Sequence, residues 1–400
     1  MTPLHLTHFT ASTCLGRGLA PTLAALAAQA SGLKRCDFET VDLDTWIGEV
    51  AGIDDTCLPA ALARHDCRNN RLALLALETD GFADAVRAAI GRHGSRRVGC
   101  FLGTSTAGIL QTELAYRRRD PATGALPPDF VYETTHNTYS VGGFVRDYFG
   151  LEGPAAVVST ACSSSAKVFA QAARMIEVGL IDAALVGGVD SLCLTTLYGF
   201  ASLELTSRQP CRPYDAARDG ISIGEGAAYA LLERAPASLA ADAVLLLGAG
   251  ESSDAYHMSS PHPEGLGARL AMEAALRDAG LATDDIGYIN LHGTATPAND
   301  SAEGQAVAAL FDGRVPCSST KGATGHTLGA AGAVEAVIGA LALQHGLLPG
   351  SAQTQVLDPA IAALGLDYLL ANRRAPLRHV LSNSFGFGGS NCSLVLGCAS

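Results

Sequence analysis

Hydrophobic and polar positions along the 400 residues fall into two alternating kinds of run. Short apolar runs bounded by glycines and small residues, at 98–103, 183–189 and 288–291, predict buried strands. Longer helical patterns occupy 166–178, 299–311 and 329–345, the last rich in Gly and Ala, and strands at 378–382 and 393–396 close the chain. Alternation of this kind predicts βαβ units, an α/β fold and a mostly parallel or mixed sheet. Each half sets a strand, then a Gly/Ser/Thr-rich turn with a reactive side chain, then an Ala-rich helix. Two related halves are therefore expected, 1–240 and 241–400, meeting in the polar, Ala-rich stretch 234–242.

Composition narrows the function classes. A hydrophobic share of 48% with 44 glycines and only 16% charged residues suits a large core in which helices pack closely on a sheet. The balance of 27 basic and 39 acidic residues gives a net charge of -12 without a long Lys/Arg run, which argues against nucleic acid as a partner. The N-terminus has no basic region ahead of an apolar stretch, and no uninterrupted apolar run approaches the ~20 residues a bilayer crossing needs. A soluble, cytoplasmic protein with no membrane contact is expected. Eleven cysteines lie scattered without CxxC pairs or Cys/His ligand spacing, so neither a disulfide framework nor a zinc site is indicated. Most of them read as small core hydrophobes in a reducing compartment.

Four turns carry candidate chemistry. In Val158-Ser159-Thr160-Ala161-Cys162-Ser163-Ser164-Ser165, an apolar run gives way to small residues and then to a helical pattern, which sets Cys162 at a helix N-terminus. There the dipole and free amides favour a thiolate, lower the thiol pKa and can hold an oxyanion. A buried structural cysteine is the bland alternative. In Asn290-Leu291-His292-Gly293-Thr294-Ala295-Thr296-Pro297, a histidine stands at a strand end, where sites gather in α/β sheets, although a lone histidine is more often structural. Lys321 and His326 share a Gly-rich turn before a helix, and the phosphate-loop spacing is not met because Lys321 precedes the glycines. The fourth turn is Ser384-Phe385-Gly386-Phe387-Gly388-Gly389-Ser390.

Taken in order and spacing, these four turns resemble the β-ketoacyl-[acyl-carrier-protein] synthases of the elongating type, in the thiolase-like superfamily. Arg212-Pro213-Tyr214-Asp215, Gly224-Glu225-Gly226, Ser253-Asp254-Ala255-Tyr256-His257-Met258 and Gly103-Thr104-Ser105-Thr106-Ala107-Gly108 extend the likeness over residues 10–397. The first ~90 residues carry it least. The resemblance implies a five-layer αβαβα sandwich of two pseudo-repeated halves. It also implies an acyltransferase that condenses an acyl group on Cys162 with a malonyl group, in fatty acid elongation or in a dedicated polyene or polyketide pathway. No cofactor is implied, since the substrates ride on the phosphopantetheine of acyl carrier protein.

By the same resemblance, the oxyanion would sit between the amides of Cys162 and Phe385, and His292 and His326 would stabilise an enolate. Lys321 orders the network, with Glu335 as its partner and Asp300 and Glu303 in support. Thr294 and Thr296 would bind the phosphopantetheine arm. Phe385 would gate the site with Phe387 behind it, and Thr106 and Phe200 would bound the acyl pocket. The Thr106 hydroxyl hints at a less aliphatic substrate. Asn290, Glu335, Ser382 and Asn383 match positions where some members hold a monovalent cation, though such oxygens are also ordinary buried hydrogen-bond partners. Arg64, Arg68, Arg117, Arg118, Arg119 and Arg208 are candidates for docking the acidic carrier protein, against the plainer reading of a solvated charged face. A homodimer is implied, with a heterodimer as the alternative where a chain-length partner exists. A thiolase would need a second catalytic cysteine, for which Cys392 is the nearest candidate, and an initiating synthase would carry Asn in place of His326.

Overall fold

A computed structural model describes residues 1–399. Ten strands build the core. The first half supplies β1 (Leu4–Thr13), β2 (Val98–Gly103), β3 (Ala155–Val158), β4 (Ala183–Asp190) and β5 (Gly226–Arg234); the second supplies β6 (Val244–Ser253), β7 (Tyr288–Asn290), β8 (Cys317–Ser318), β9 (His379–Gly386) and β10 (Ser390–Cys398). They run β3-β2-β4-β5-β1 and β8-β7-β9-β10-β6, the same order shifted by five strands. The pairing senses repeat as well, with β2, β3 and β4 parallel like β7, β8 and β9, and the remaining ladders antiparallel. The two sets meet through a short β1–β6 ladder, Leu4 opposite Leu246 and His5 opposite Leu245.

Seven helices complete the layers: α1 (Arg68–Leu77), α2 (Phe82–His93), α3 (Ser140–Phe149), α4 (Ser164–Glu177), α5 (Leu266–Ala279), α6 (Pro297–Phe311) and α7 (Ala331–His345). Helices α4 and α7 lie between the sheets, α1, α2 and α3 cover the first sheet, and α5 and α6 cover the second. This is the expected αβαβα sandwich. Its sequence logic is plain in α7, which apart from Glu335 is apolar on every face over residues 331–343, as a helix buried on every side must be. The helical stretch Leu328–His345 is apolar enough to cross a membrane by composition, yet 89% of it is buried inside the protein.

Close packing of this central layer depends on two glycines. A Cβ on Gly332 of α7 would come within 2.6 Å of the Ala166 nitrogen on α4, and one on Gly103 at the end of β2 within 2.3 Å of the Ser165 nitrogen. Both approaches press the N-terminus of α4, and with it Cys162, against the ends of neighbouring elements. Element boundaries moved modestly from the sequence pattern: the final hairpin is longer than the two short strands expected, because β9 and β10 pair from His379↔Gly397 to Gly386↔Ser390. Strands β5 and β6, continuous apolar runs flanking the connection, carry no alternation and escaped the periodicity reading.

Candidate active site

Every turn singled out in the sequence opens at the same end of the two sheets. Cys162 follows Ala161, whose backbone is left-handed at φ 52, and precedes the Ser163 cap of α4. The sharp bend is fastened by Thr160 N donating to Ser164 Oγ at 2.9 Å and Ser164 Oγ donating to Ala161 O at 2.5 Å. It leaves the thiol at the head of a 14-residue helix, buried but lining a cavity of about 260 Å³.

His292 and His326 face the thiol. His326 Nε2 lies 3.0 Å from Cys162 Sγ, and the two imidazoles meet edge to face with ring centroids 5.3 Å apart. Their outer nitrogens are occupied: Leu328 N donates to His326 Nδ1 at 3.3 Å, and Lys321 Nζ sits 3.4 Å from His292 Nδ1. With each Nδ1 accepting, the hydrogen-bond network assigns the proton of each ring to Nε2. Burial holds both imidazoles well below their ordinary pKa, and the Lys321 charge adds to it, so both are neutral N–H donors. Ligand atoms of Cys162, His292 and His326 fall within 4.8 Å of one another, but protonated Nε2 atoms are arranged to donate, not to bind a metal.

Lys321 is buried on the turn after β8 and bonds both the Glu335 carboxylate and the His292 carbonyl oxygen. Burial pushes the Glu335 carboxyl up to about 7 against the pull of Lys321. Glu303 accepts the amides of His292 and Gly293 at 2.7 Å each, and Asp300 those of Thr294 and Ala295 at 3.0 and 3.2 Å. These two carboxylates of α6 shape the His292 loop from behind and do not reach the cavity. Thr294 and Thr296 line its mouth, their hydroxyls 2.9 Å apart.

Several expectations need correction. Cys162 does not gain a depressed pKa from its helix end: burial dominates and pushes the thiol up to about 11, although Lys321 and the Phe387 amide pull it down. Of the two phenylalanines, it is the Phe387 amide that acts on the Cys162 thiol. Phe385 is still a ladder residue, opposite Asn391 with its ring 5.9 Å from His292, whereas Phe387 follows the last paired residue, Gly386, where the amide turns free. The Phe387 ring rests on Phe200 at 5.6 Å, closing the apolar end of the cavity together with Leu205 and Ile221. Leu205 and Ile221 escaped the sequence reading because isolated apolar residues in loops carry no signal.

Thr106 does not line this cavity; its amide and hydroxyl both donate to Asp190 Oδ1 at 2.9 Å, so the hydroxyl says nothing about the substrate. Arg68 is buried in a lattice with Glu225, Glu49 and Asp54 and is not a docking residue. Arg64, Arg117 and Arg118 are surface groups paired with Asp147, Glu39 and Asp129, while Arg119 and Arg208 are exposed. Cys392 is buried within β10 and lines no part of the cavity. As for a cation of the kind some family members hold, Asn290, Ser382 and Glu335 Oε2 offer buried oxygens without a hydrogen-bond partner, and Asn290 and Ser382 are opposite each other in the sheet. These fit a monovalent ion; the Asn383 side chain is taken by Glu303 and Ser393.

The neutral histidines make a pH prediction. Unfolded, each imidazole charges below pH ~6.5, while in the folded chain it stays neutral. The unfolded state therefore binds more protons, and stability from these two groups is present above pH ~6.5 and lost below it, at up to about 1.4 kcal/mol per pH unit per ring. The buried carboxyls Glu335, Asp300 and Glu303, whose pKa values burial raises, slope the other way. The measurement is thus a difference: urea unfolding of the native chain minus that of His292→Gln/His326→Gln, from pH 5 to 8. A difference that does not fall on acidification would refute the neutral assignment.

Comparison with known proteins agrees with the geometry. Residues 70–237 match the β-ketoacyl synthase N-terminal domain and residues 243–355 the β-ketoacyl synthase C-terminal domain. The chain is 34% identical over 408 residues to 3-oxoacyl-[acyl-carrier-protein] synthase 2 of Vibrio cholerae, covering 95% of each chain. It is 38% identical over 314 residues to the synthase 2 of Rhizobium meliloti, covering 74% of this chain and 73% of that one. Among solved structures, a ketosynthase from Xenorhabdus doucetiae, in complex with its chain length factor, superposes with a TM-score of 0.88 at 38% identity, covering 100% of this chain and 98% of that one. A β-ketoacyl synthase from Burkholderia phymatum superposes at 0.87 with 30% identity, covering 100% of both.

Proposed function

This chain belongs to the β-ketoacyl synthase family and is a condensing acyltransferase, and we propose from that premise how its site works and with what it works. The observation that carries the proposal is the convergence of one thiol and two neutral Nε2–H donors on a single cavity, 3.0 Å separating Cys162 Sγ from His326 Nε2. The Cys162 sulfur attacks the thioester carbonyl of an acyl carrier protein, and the thiol proton passes to the carrier sulfur as that sulfur departs. The new S–C bond forms as the carrier thiol leaves, and the amides of Cys162 and Phe387 hold the oxyanion. A malonyl thioester then enters past Thr294 and Thr296, its carbonyl oxygen between the two Nε2–H groups. Loss of carbon dioxide leaves an enolate that these donors stabilise. Its carbon attacks the acyl–Cys162 carbonyl, and Sγ departs as thiolate with the β-ketoacyl group left on the carrier.

Lys321 holds the His292 carbonyl and charges the outer side of the ring, which strengthens His292 as a donor. A monovalent cation on Asn290, Ser382 and Glu335 would supply further positive charge behind this strand. Docking of an acidic carrier is assigned to exposed arginines, Arg119 and Arg208 among them, since the chain as a whole is net acidic.

For the assembly, β3 supports a dimer: it ends its sheet, its apolar residues 155–158 are only half-buried, and Tyr132 and Tyr139 are 50% and 38% exposed. The complex of the Xenorhabdus doucetiae ketosynthase with its chain length factor supports a heterodimer, which goes with the dedicated-pathway reading; the other reading is a homodimer in fatty acid elongation. We favour the former, on identity across the entire chain. A native mass of twice 41.0 kDa with full activity for the chain alone would favour the latter.

The test of the chemistry is intact-mass analysis after mixing with acyl carrier proteins bearing chains of varied length and unsaturation. One acyl adduct should appear on Cys162 and be consumed on adding malonyl carrier. Normal condensation by Cys162→Ser would sink the proposal.

A further inference from the structure

Leu328 sits at φ 52, a left-handed backbone that a bulky residue rarely adopts. What this geometry accomplishes is local: it turns the Leu328 amide back onto His326 Nδ1, 3.3 Å away. The next amide, that of Gly329, donates to Asp190 Oδ2 at 2.5 Å. Asp190 ends β4, fully buried, and is itself fixed from several directions. Oδ1 accepts from Thr104 Oγ1 at 2.6 Å, Ser105 N at 2.7 Å, and both the amide and the hydroxyl of Thr106 at 2.9 Å; Oδ2 also accepts from Ser105 Oγ at 2.5 Å. The turn is seated so closely that a Cβ on Gly329 would lie 2.8 Å from both Asp190 Oδ2 and the Ser105 nitrogen.

A strained turn persists when its surroundings over-determine it, and charge-assisted hydrogen bonds to a buried carboxylate are strong enough to do so. We propose that Asp190 is a positioning residue for the condensation: it holds the Leu328–Gly329 turn so that the Leu328 N–H occupies His326 Nδ1 and the ring proton stays on Nε2, facing Cys162. Asp190 touches neither substrate nor thiol, and acts through the tautomer of His326. The chemistry parallels any imidazole whose far nitrogen is fixed by an outer partner, here a backbone amide instead of a carboxylate. The catalytic consequence rests on the reading of His326 as an Nε2–H donor to the enolate.

The test uses the full chain with 15N-labelled histidine. In the native protein the His326 Nδ1 resonance should be that of an unprotonated nitrogen, with a coupling across the hydrogen bond to the Leu328 amide. Asp190→Asn, nearly isosteric but with one acceptor oxygen exchanged for a donor, should lose that coupling and populate both tautomers. Its malonyl decarboxylation should fall about 10- to 100-fold in kcat, with KM for malonyl carrier unchanged within about twofold. An unchanged tautomer in Asp190→Asn would overturn the positioning role. Should that variant fail to fold, the native chain decides: absence of the Leu328 coupling, or a proton on Nδ1, overturns it equally. A shifted tautomer with undiminished decarboxylation would instead overturn the reading of His326 and leave the Asp190 linkage standing.

Discussion

Replacing Lys321 with methionine should destabilise the fold by about 3–5 kcal/mol at pH 8, the range for breaking a buried ion pair by removing one partner. Lys321 and Glu335 are both almost fully buried, their side chains 1% and 3% exposed. Without the ammonium, the Glu335 carboxylate must either stay charged in an apolar layer or take up a proton. Its pKa is already pushed up to about 7 with Lys321 in place, and loss of the cation can only raise it further. Neutralisation is therefore cheap at pH 5.5 and costly at pH 8, and the penalty of the substitution should grow as pH rises. Lys321→Met/Glu335→Leu removes both charges and should recover most of the stability without recovering condensation, because the His292 carbonyl and Nδ1 have lost their partner. Urea unfolding of the three chains at both pH values gives the answer. Equal stabilities for the single and double variants would show that Glu335 carries no penalty once Lys321 is gone, and would overturn the prediction.

How far the sequence foretold this arrangement depends on the kind of signal each feature leaves. The α/β class and the two related halves were legible because strand and helix periodicities differ and because α7, with Glu335 its sole interior charge, can only be a core helix. Cys162, His292, Lys321 and His326 were legible as unusual residues in Gly- and Thr-rich turns at element ends. Their convergence followed only from the family resemblance, since read from the residues alone it depends on sheets that place β7, β8 and the head of α4 side by side.

The errors have the same origin. Phe385 and Phe387 are two residues apart with similar neighbours, and only the point where the β9–β10 ladder stops decides which amide is free for Cys162. Thr106 was read from its position, while its hydroxyl is spent on Asp190, a residue 84 positions away. Arg68 looks like any surface arginine until Glu225, from the far side of the half, is found beside it. The thiol pKa was argued from the helix end alone, and burial, which is a property of the whole fold, reversed its direction.

The half-reactions should come apart in His292→Ala. His326 Nε2 is 3.0 Å from the nucleophile, so its removal disturbs both thiol and enolate chemistry. His292 is placed differently: its ring meets His326 and Phe385 and is braced by Lys321, and no hydrogen bond links it to Cys162 Sγ among the described residues. Its Nε2–H is needed only when negative charge develops on the malonyl thioester oxygen. Loss of one such preorganised donor costs about 100- to 1,000-fold. His292→Ala should therefore slow carbon dioxide release from malonyl carrier by about that factor, while acylation of Cys162, followed by intact mass, stays within a few-fold of the native rate. The backbone carbonyl that Lys321 holds survives the substitution, so the Lys321–Glu335 pair is retained and the effect belongs to the imidazole. If acylation fell as steeply as decarboxylation, His292 would be serving the thiol, and the assignment of its proton to the enolate would be wrong.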